Sequence, residues 1–271
     1  MRKFAVVTTF HQPGLTQYAQ RMIDSYMTTW PKEVKLMLYP EECNPAISKY
    51  HDRIDMYDMH SSVPDLVAFK NKWKNVPKAN GDVSKERQSI RKDSWKGFKW
   101  DAIRFAHKVY SIFHAAIHTD ADVLIWMDAD MFCHNPITLE ELEHIIPIDK
   151  DLCYVGRERK WPECGIYSIN LKSQNGQNFL KEFQRVYDDA ENGIFKMDEW
   201  HDSFVFEEVR KELTLNCLNW GEGLVVGEGH PLINSIWGKY LDHLKGGRKD
   251  TGKSKRTDLL KPRTEEYWRN I

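Results

Sequence analysis

The chain has 271 residues, 41% of them hydrophobic and 29% charged, enough for one large domain or two small ones. A net charge of -1 and a pI near 6.8 give no overall basic character, and no run approaches the roughly 18 apolar residues of a membrane helix. The apolar stretch behind Met1-Arg2-Lys3 is too short for a signal peptide, and five irregularly spaced cysteines disfavour a disulfide scaffold and a thiolate zinc site. The expectation is a cytoplasmic chain in a reducing setting, with no transmembrane segment and no nucleic-acid partner.

In chain order, residues 4–10 are apolar and β-branched and predict a buried strand. Residues 15–30 carry Leu15, Tyr18, Met22, Ile23, Tyr26 and Met27 at helical spacing, and 34–39 predict a second strand. Residues 47–73 read as helical with a break at Val63-Pro64, and 76–96 as a long loop. A strong helix is expected over 101–118, with Ala106, Val109, Tyr110, Phe113 and Ile117 on one face. Then come a strand buried on both sides over 123–127, a short helix over 139–145, strands over 151–155 and 166–170, and helices over 178–187 and 203–213. Strand and helix alternate early and mix later, which predicts one Rossmann-like α/β domain: a mixed, mostly parallel sheet flanked by helices.

Charge is segregated along this order. Residues 69–108 hold 12 Lys/Arg against 4 Asp/Glu, 120–231 hold 10 against 23, and 239–271 hold 10 against 5. Solvated faces account for such runs one at a time. An acidic centre between basic flanks also suits a cation with a phosphorylated ligand closed over it.

Three short motifs compete. Asp-x-Asp occurs as Asp120/Asp122, Asp128/Asp130 and Asp149/Asp151, and chance gives roughly one or two such spacings, so only context separates them. Asp128 and Asp130 follow Val123-Leu-Ile-Trp-Met127 directly, at the carboxyl end of a buried strand, where α/β sheets bind ligands. Two carboxylates there repel unless a cation joins them, and oxygen ligands suit Mn²⁺ or Mg²⁺; the alternative is that Asp128 caps the next turn. Gly247-Arg-Lys-Asp-Thr-Gly-Lys253-Ser254 fits the phosphate loop of a kinase or NTPase in letters. Its lead-in is charged rather than strand-like, and only 17 residues follow it, so a P-loop enzyme using Lys253 is the lesser reading. The loop's glycines and clustered cations still predict a segment that orders around an anion. Gly221-Glu-Gly223 with Gly227 and Gly229 reads as turns.

Leu124-Ile-Trp-Met-Asp128-Ala-Asp130 resembles the strand-plus-DxD signature of nucleotide-sugar glycosyltransferases with the GT-A fold. Glu163-Cys-Gly165-Ile-Tyr-Ser-Ile-Asn170 is similar to the strand beside the donor sugar in these enzymes, and Glu199-Trp-His-Asp202 to their acidic segment near the reacting centre. His243-Leu-Lys-Gly246-Gly-Arg-Lys249 fits H-x-x-G-x-x-K and resembles the C-terminal motif of glycosyltransferase family 8. Two places depart from family 8: Asp250-Thr251 stand where Pro-Trp is common, and Glu163-Cys164-Gly165 where Asn-Ala-Gly is.

The resemblance implies a GT-A-like domain over 1–271, with a nucleotide-binding half (1–130) and an acceptor half with the C-terminal metal and diphosphate loop (131–271). It implies a metal-dependent transferase that moves a sugar from a nucleoside-diphosphate sugar, a UDP-sugar first, to a hydroxyl of a glycan, lipid-linked or protein acceptor. Asp128, Asp130 and His243 would hold Mn²⁺ or Mg²⁺. Thr8 and Thr9 at the end of the first strand, Asp128, Gly246 and Lys249 would bind the donor. Arg104 and Lys108, one helical turn apart, either reach the donor or form a solvated face. Asp202 first, and Glu163 second, are the candidate catalytic carboxylates; Asp202 equally suits the N-cap of the helix that follows it. Trp161, Trp200 and Trp220 flank these segments and suit either sugar stacking or the core. A nucleotide-sugar-binding module without turnover is the remaining alternative.

Overall fold

Alternation along the strands divides the apolar side chains between two cores, one on each face of a single large sheet. In the computed structural model, which describes residues 2–82, 94–224 and 230–269, strand β1 (Phe4–His11) sends Phe4, Val6 and Phe10 to one core and Ala5 and Val7 to the other. β2 (Lys35–Glu41) repeats the pattern with Leu36 and Leu38 against Met37 and Tyr39. The first core is closed by α1 (Gln20–Thr29) and the C-terminal Leu232, Ile233 and Trp237. The second is closed by α2 (Pro64–Trp73) and α3 (Ala102–His118), together with two later helices, Gln174–Asp188 and Asp202–Glu212.

The sheet runs β3-β2-β1-β4-β7-β6-β8. β3 is Ile54–Met56, β4 Val123–Met127, β6 Leu152–Arg157, β7 Lys160–Asn170 and β8 Cys217–Asn219. β7 is antiparallel to both its neighbours and every other pairing is parallel, so the sheet is mixed and mostly parallel, as the GT-A-like reading expects. β4 is buried along its whole length, since helices cover both faces. After β4 the chain forms β5 (Met131–Cys133), which pairs antiparallel with β9 (Leu241–His243) in a separate two-stranded sheet. α4 (Leu139–Ile145) carries a capping box from Thr138 and Glu141. α5 (Gln174–Asp188) and α6 (Asp202–Glu212) pack Phe179, Phe183 and Phe206 against the second face. No helix among the described residues is long and apolar enough to cross a membrane.

Three expectations need correction. The stretch 47–73 is not helical throughout: Ile54–Met56 is an edge strand parallel to β2. Three residues are too few to show a strand period, and pairing to Leu36–Leu38 overrides local preference. Ile117 is 78% exposed rather than on the buried face of α3; it stands in the last turn of the helix, beyond the buried Phe113 and Ala115. The helix over 15–30 contains a π-helical turn, Leu15–Ala19, before α1. The loop expected over 76–96 is bounded by 3₁₀ turns, Pro77–Asn80 and Ser94–Trp100, and its residues 83–93 lie outside the described residues, as do Gly227 and Gly229.

Candidate metal and phosphate site

Asp128 and Asp130 stand in the turn that joins the carboxyl end of β4 to β5. The turn is closed by Met131 N donating to Asp128 O (3.2 Å), and Asp128 N donates to Gly165 O on β7 (2.8 Å). The β5–β9 pairing sets Met131 opposite His243, and Leu244 N donates to Asp130 O (2.9 Å), so the imidazole arrives beside the two carboxylates. Gly165 makes the room: a Cβ there would come within 2.8 Å of His243 Cε1 and 2.9 Å of Met131 Cε.

His243 Nε2 lies 3.1 Å from Asp130 Oδ1 and 3.6 Å from Asp128 Oδ2. One ligand atom from each of the three residues fits within 4.8 Å of the others. His243 is fully buried, and neither ring nitrogen has an aligned hydrogen-bond partner among the described residues. Buried polar atoms are rarely left so, and a divalent ion held by Nε2 and the two carboxylates would resolve the deficit at that nitrogen. The donor set therefore fits a divalent metal.

The two carboxylates are driven apart electrostatically. Burial pushes the Asp128 carboxyl upward, and Lys108 only partly offsets it. Burial acts the same way on Asp130, but His243 and Lys249 outweigh it and hold Asp130 well below the carboxylate range. Lys249 Nζ is 3.0 Å from Asp130 Oδ2. Asp128 is not a simple turn cap: its Oδ1 accepts from Trp126 Nε1 (2.7 Å) and Lys108 Nζ (3.3 Å).

Lys108 is buried between Asp128 and Asp202, with Nζ 2.6 Å from Asp202 Oδ2. Burial alone would depress its ammonium, but the two carboxylates more than reverse that and keep it charged. Asp202 is the first residue of α6, not its cap; His201 caps the helix, accepting from Phe204 N (3.3 Å). Glu163, on β7, receives Lys245 Nζ at 2.9 and 3.2 Å. Burial pushes Glu163 up, but Lys245 and His243 hold it well below its ordinary value.

Thr9, Arg104, Lys108, Asp128, Asp130, Glu163, Asp202, His243, Gly246 and Lys249 all line one cavity of about 690 Å³. Thr8 does not. The strand alternation turns it the other way, into full burial, with no hydrogen-bond partner for its hydroxyl among the described residues. Thr9 Oγ1 donates to Tyr39 O (2.7 Å). Trp161 lines the cavity, while Trp200 packs on Phe195 and Trp220 on Trp237 in the core.

Sequence reasoning missed Tyr18, His107, Arg157, Lys160 and Lys245. Alternation flags Lys245, two positions after His243. Nothing local flags Arg157 and Lys160, which a hairpin tip brings in. Gly247–Ser254 is not built as a P-loop. Ser254 is buried with its N and Oγ donating to Asp242 (2.8 and 2.6 Å), Lys253 lies over the Tyr267 ring at 4.3 Å, and the only helix inside the motif is Arg248–Thr251. The loop's cations are instead held by protein acids, Lys249 by Asp130 and Arg248 Nε by Asp258 (2.8 Å).

No family profile matches the chain, and neither does any curated protein. Solved structures do. The bifunctional glycosyltransferase WbbM in its apo form is 10% identical with a TM-score of 0.48, over 81% of this chain and 39% of its own. Apo GlyE of Streptococcus pneumoniae TIGR4, a glycosyltransferase, is 12% identical with a TM-score of 0.46, over 81% and 46%. The galactosyltransferase LgtC, in complex with donor and acceptor sugar analogues, is 11% identical with a TM-score of 0.47, over 95% and 84%. The chain thus spans less than half the length of the first two.

Proposed function

We propose that this chain is a metal-dependent glycosyltransferase that moves a sugar from a nucleoside-diphosphate sugar, a UDP-sugar, to an acceptor hydroxyl. The observation that carries the reading is the buried Asp128–Asp130–His243 cluster at the end of β4, with unsatisfied imidazole nitrogens and Lys249 beside it. The H-x-x-G-x-x-K spacing over His243–Lys249 agrees with it.

Nucleoside diphosphate leaves well only when its charge is neutralised, and Mn²⁺ or Mg²⁺ in this cluster would supply part of that charge. Asp130 is the primary ligand, His243 supplies nitrogen, and Asp128 completes the set or meets the ribose. The nitrogen favours Mn²⁺. Lys249 supplies the diphosphate's second counter-charge, and the left-handed Gly246 (φ 63°), with open space where a Cβ would stand, lets the backbone approach it. Residues 1–130 hold the nucleoside, with Thr9 at the end of β1 and Arg104 on the exposed face of α3.

Two carboxylates face the acceptor side. Glu163 is tied to Lys245 through both oxygens and held ionised, which makes it a weak base; its part is to keep Lys245 and His243 in place. Asp202 engages Lys108 through Oδ2, and we assign it to orient the acceptor hydroxyl and, in an inverting reaction, to take its proton.

The test is release of nucleoside diphosphate from a panel of nucleotide sugars with Mn²⁺. Asp130→Ala should lower turnover by on the order of a thousandfold or more while the fold is retained, and EDTA should do the same to the unmodified protein. Turnover that survives both would overturn the metal assignment. ATP hydrolysis abolished by Lys253→Ala would favour a P-loop enzyme instead.

A further inference from the structure

The sheet order divides the cavity. β4, which carries the metal cluster, lies between β1 and β7. Residues 1–130 approach it from the β1 side. On the other side β7 pairs with β4 only from Ile166 onward, so residues 160–163 run past the carboxyl end of β4. There they close a hairpin with β6 in which Arg157 stands opposite Lys160.

At this hairpin tip Glu158 pairs with Arg159, which leaves the two cations that line the cavity to be accounted for. Among the described residues, neither Arg157 nor Lys160 forms an ion pair with a carboxylate, although both line the cavity. Arg157 is oriented by backbone: Nε donates to Trp161 O (2.9 Å) and Nη2 to Pro162 O (3.3 Å), which leaves the Nη1 edge of the guanidinium unspent. Lys160 Nζ lies 5.2 Å from the centre of the Trp161 ring, and Lys99 Nζ lies 5.1 Å from it. Burial, then Arg157, Lys245 and Lys99, push the Lys160 ammonium downward against a weaker pull from Glu163. Of the other cavity cations, Lys108, Lys245 and Lys249 each meet an acid, while Arg104, on α3 at the β1 side, meets none among the described residues. A guanidinium fixed by backbone carbonyls and, next to it, an ammonium without a carboxylate partner among the described residues, beside the Trp161 indole, match an anionic group attached to a sugar ring.

We infer that the tip of the β6–β7 hairpin is an acceptor subsite for an anionic sugar, with a phosphate or carboxylate held by Arg157 and Lys160 and the ring against Trp161. The inference deepens the transferase reading and rests on it for the word acceptor.

Calorimetric titration of the protein saturated with UDP and Mn²⁺ tests it, with methyl glucoside, glucuronate and glucose 6-phosphate as probes. At least one charged probe should bind roughly tenfold or more tighter than the neutral one at low salt. Which charged probe wins separates carboxylate from phosphate. The Arg157→Gln/Lys160→Gln protein should lose the preference while its affinity for UDP with Mn²⁺ changes less than about twofold. Trp161→Ala should weaken all three probes together. Equal affinity for charged and neutral probes, no binding of either charged probe at millimolar concentration, or a preference that survives the double substitution overturns the inference. Loss of UDP affinity in the double variant, as large as the loss for the charged sugar, would place the two cations on the donor and overturn it as well. Failure of the unmodified protein to bind UDP with Mn²⁺ would instead strike the transferase reading. Titration of the same probes without nucleotide would then show separately whether the hairpin selects anions.

Discussion

The two sides of β4 reach the cavity by different physics. On the β1–β2 side the strands are parallel and apolar on both faces, and what they offer the site is strand ends, such as Thr9, above a closed hydrocarbon core. On the β7 and β9 side, buried charges do the joining. Glu163 meets Lys245 82 positions away, and Asp242, buried completely, gathers Ser254 N, Ser254 Oγ and Tyr267 Oη at 2.8, 2.6 and 2.7 Å. The first side is held by area, which tolerates small losses. The second is held by complete sets of partners, in which one missing member leaves the others buried and unsatisfied.

The comparison breaks hardest at Asp242. Asp242→Ala leaves three donors without their acceptor and should cost about 3 kcal/mol or more in urea unfolding, with Mn²⁺ affinity falling because His243 is the next residue. Val6→Ala, deep in the parallel side, removes two methyl groups from a close-packed core and should cost about 2 kcal/mol with Mn²⁺ affinity unchanged. Equal effects of the two on metal affinity would erase the distinction.

A sharper contrast lies within the C-terminal loop. Lys249→Ala should weaken UDP binding in Mn²⁺ by roughly tenfold, since it removes the ammonium beside Asp130. Lys253→Ala, whose ammonium lies over Tyr267, should change it by less than about twofold. The reverse order, read by calorimetry, would reinstate the P-loop lysine.

A pH-dependent effect is expected on the parallel side's own charged cluster. A hydrogen bond from His107, helped by Lys70, overcomes burial and draws Glu41 down to about 2 from an ordinary 4.5. A carboxylate depressed on folding stabilises the protein above its unfolded value and loses that contribution as pH falls from about 4.5 towards 2. Glu41→Gln should therefore lower stability at pH 7 by roughly 1–2 kcal/mol, with the difference from the unmodified protein shrinking below pH 4.5. A difference independent of pH would remove the ionic account.

The same contrast explains what the amino-acid sequence discloses. β1, β2, β4 and α3 are long, apolar and periodic, so their pattern states both their type and their burial. Asp128 and Asp130 are legible because they follow such a strand directly. His243 stood out only through its spacing to Gly246 and Lys249, since its place beside Asp130 depends on a three-residue strand pairing across the chain. Arg157 and Lys160 have no signal at all, because only a hairpin tip, formed by pairing between β6 and β7, puts them in the cavity. The capping alternative for Asp202 failed by one position, because a histidine takes the cap. Thr8 and Thr9 differ by one residue, and strand alternation gives only the second to the cavity.

The π-helical turn Leu15–Ala19 puts Tyr18 on the cavity wall, with Lys249 Nζ 4.5 Å from its ring centre, before the chain resumes an ordinary helix whose Met22, Ile23 and Tyr26 fill the core. A π turn is an α-helix that has accepted one surplus residue, bulged outward so that the turns on either side keep their phase. The wall of the cavity and the frame of the helix are therefore separately editable. Excising the outward residue of this turn, and not the buried Leu15 or Ala19, would restore a regular helix with the core face of α1 still in step. A one-residue change inside α1 would instead rotate its Met22, Ile23 and Tyr26 face away from the core.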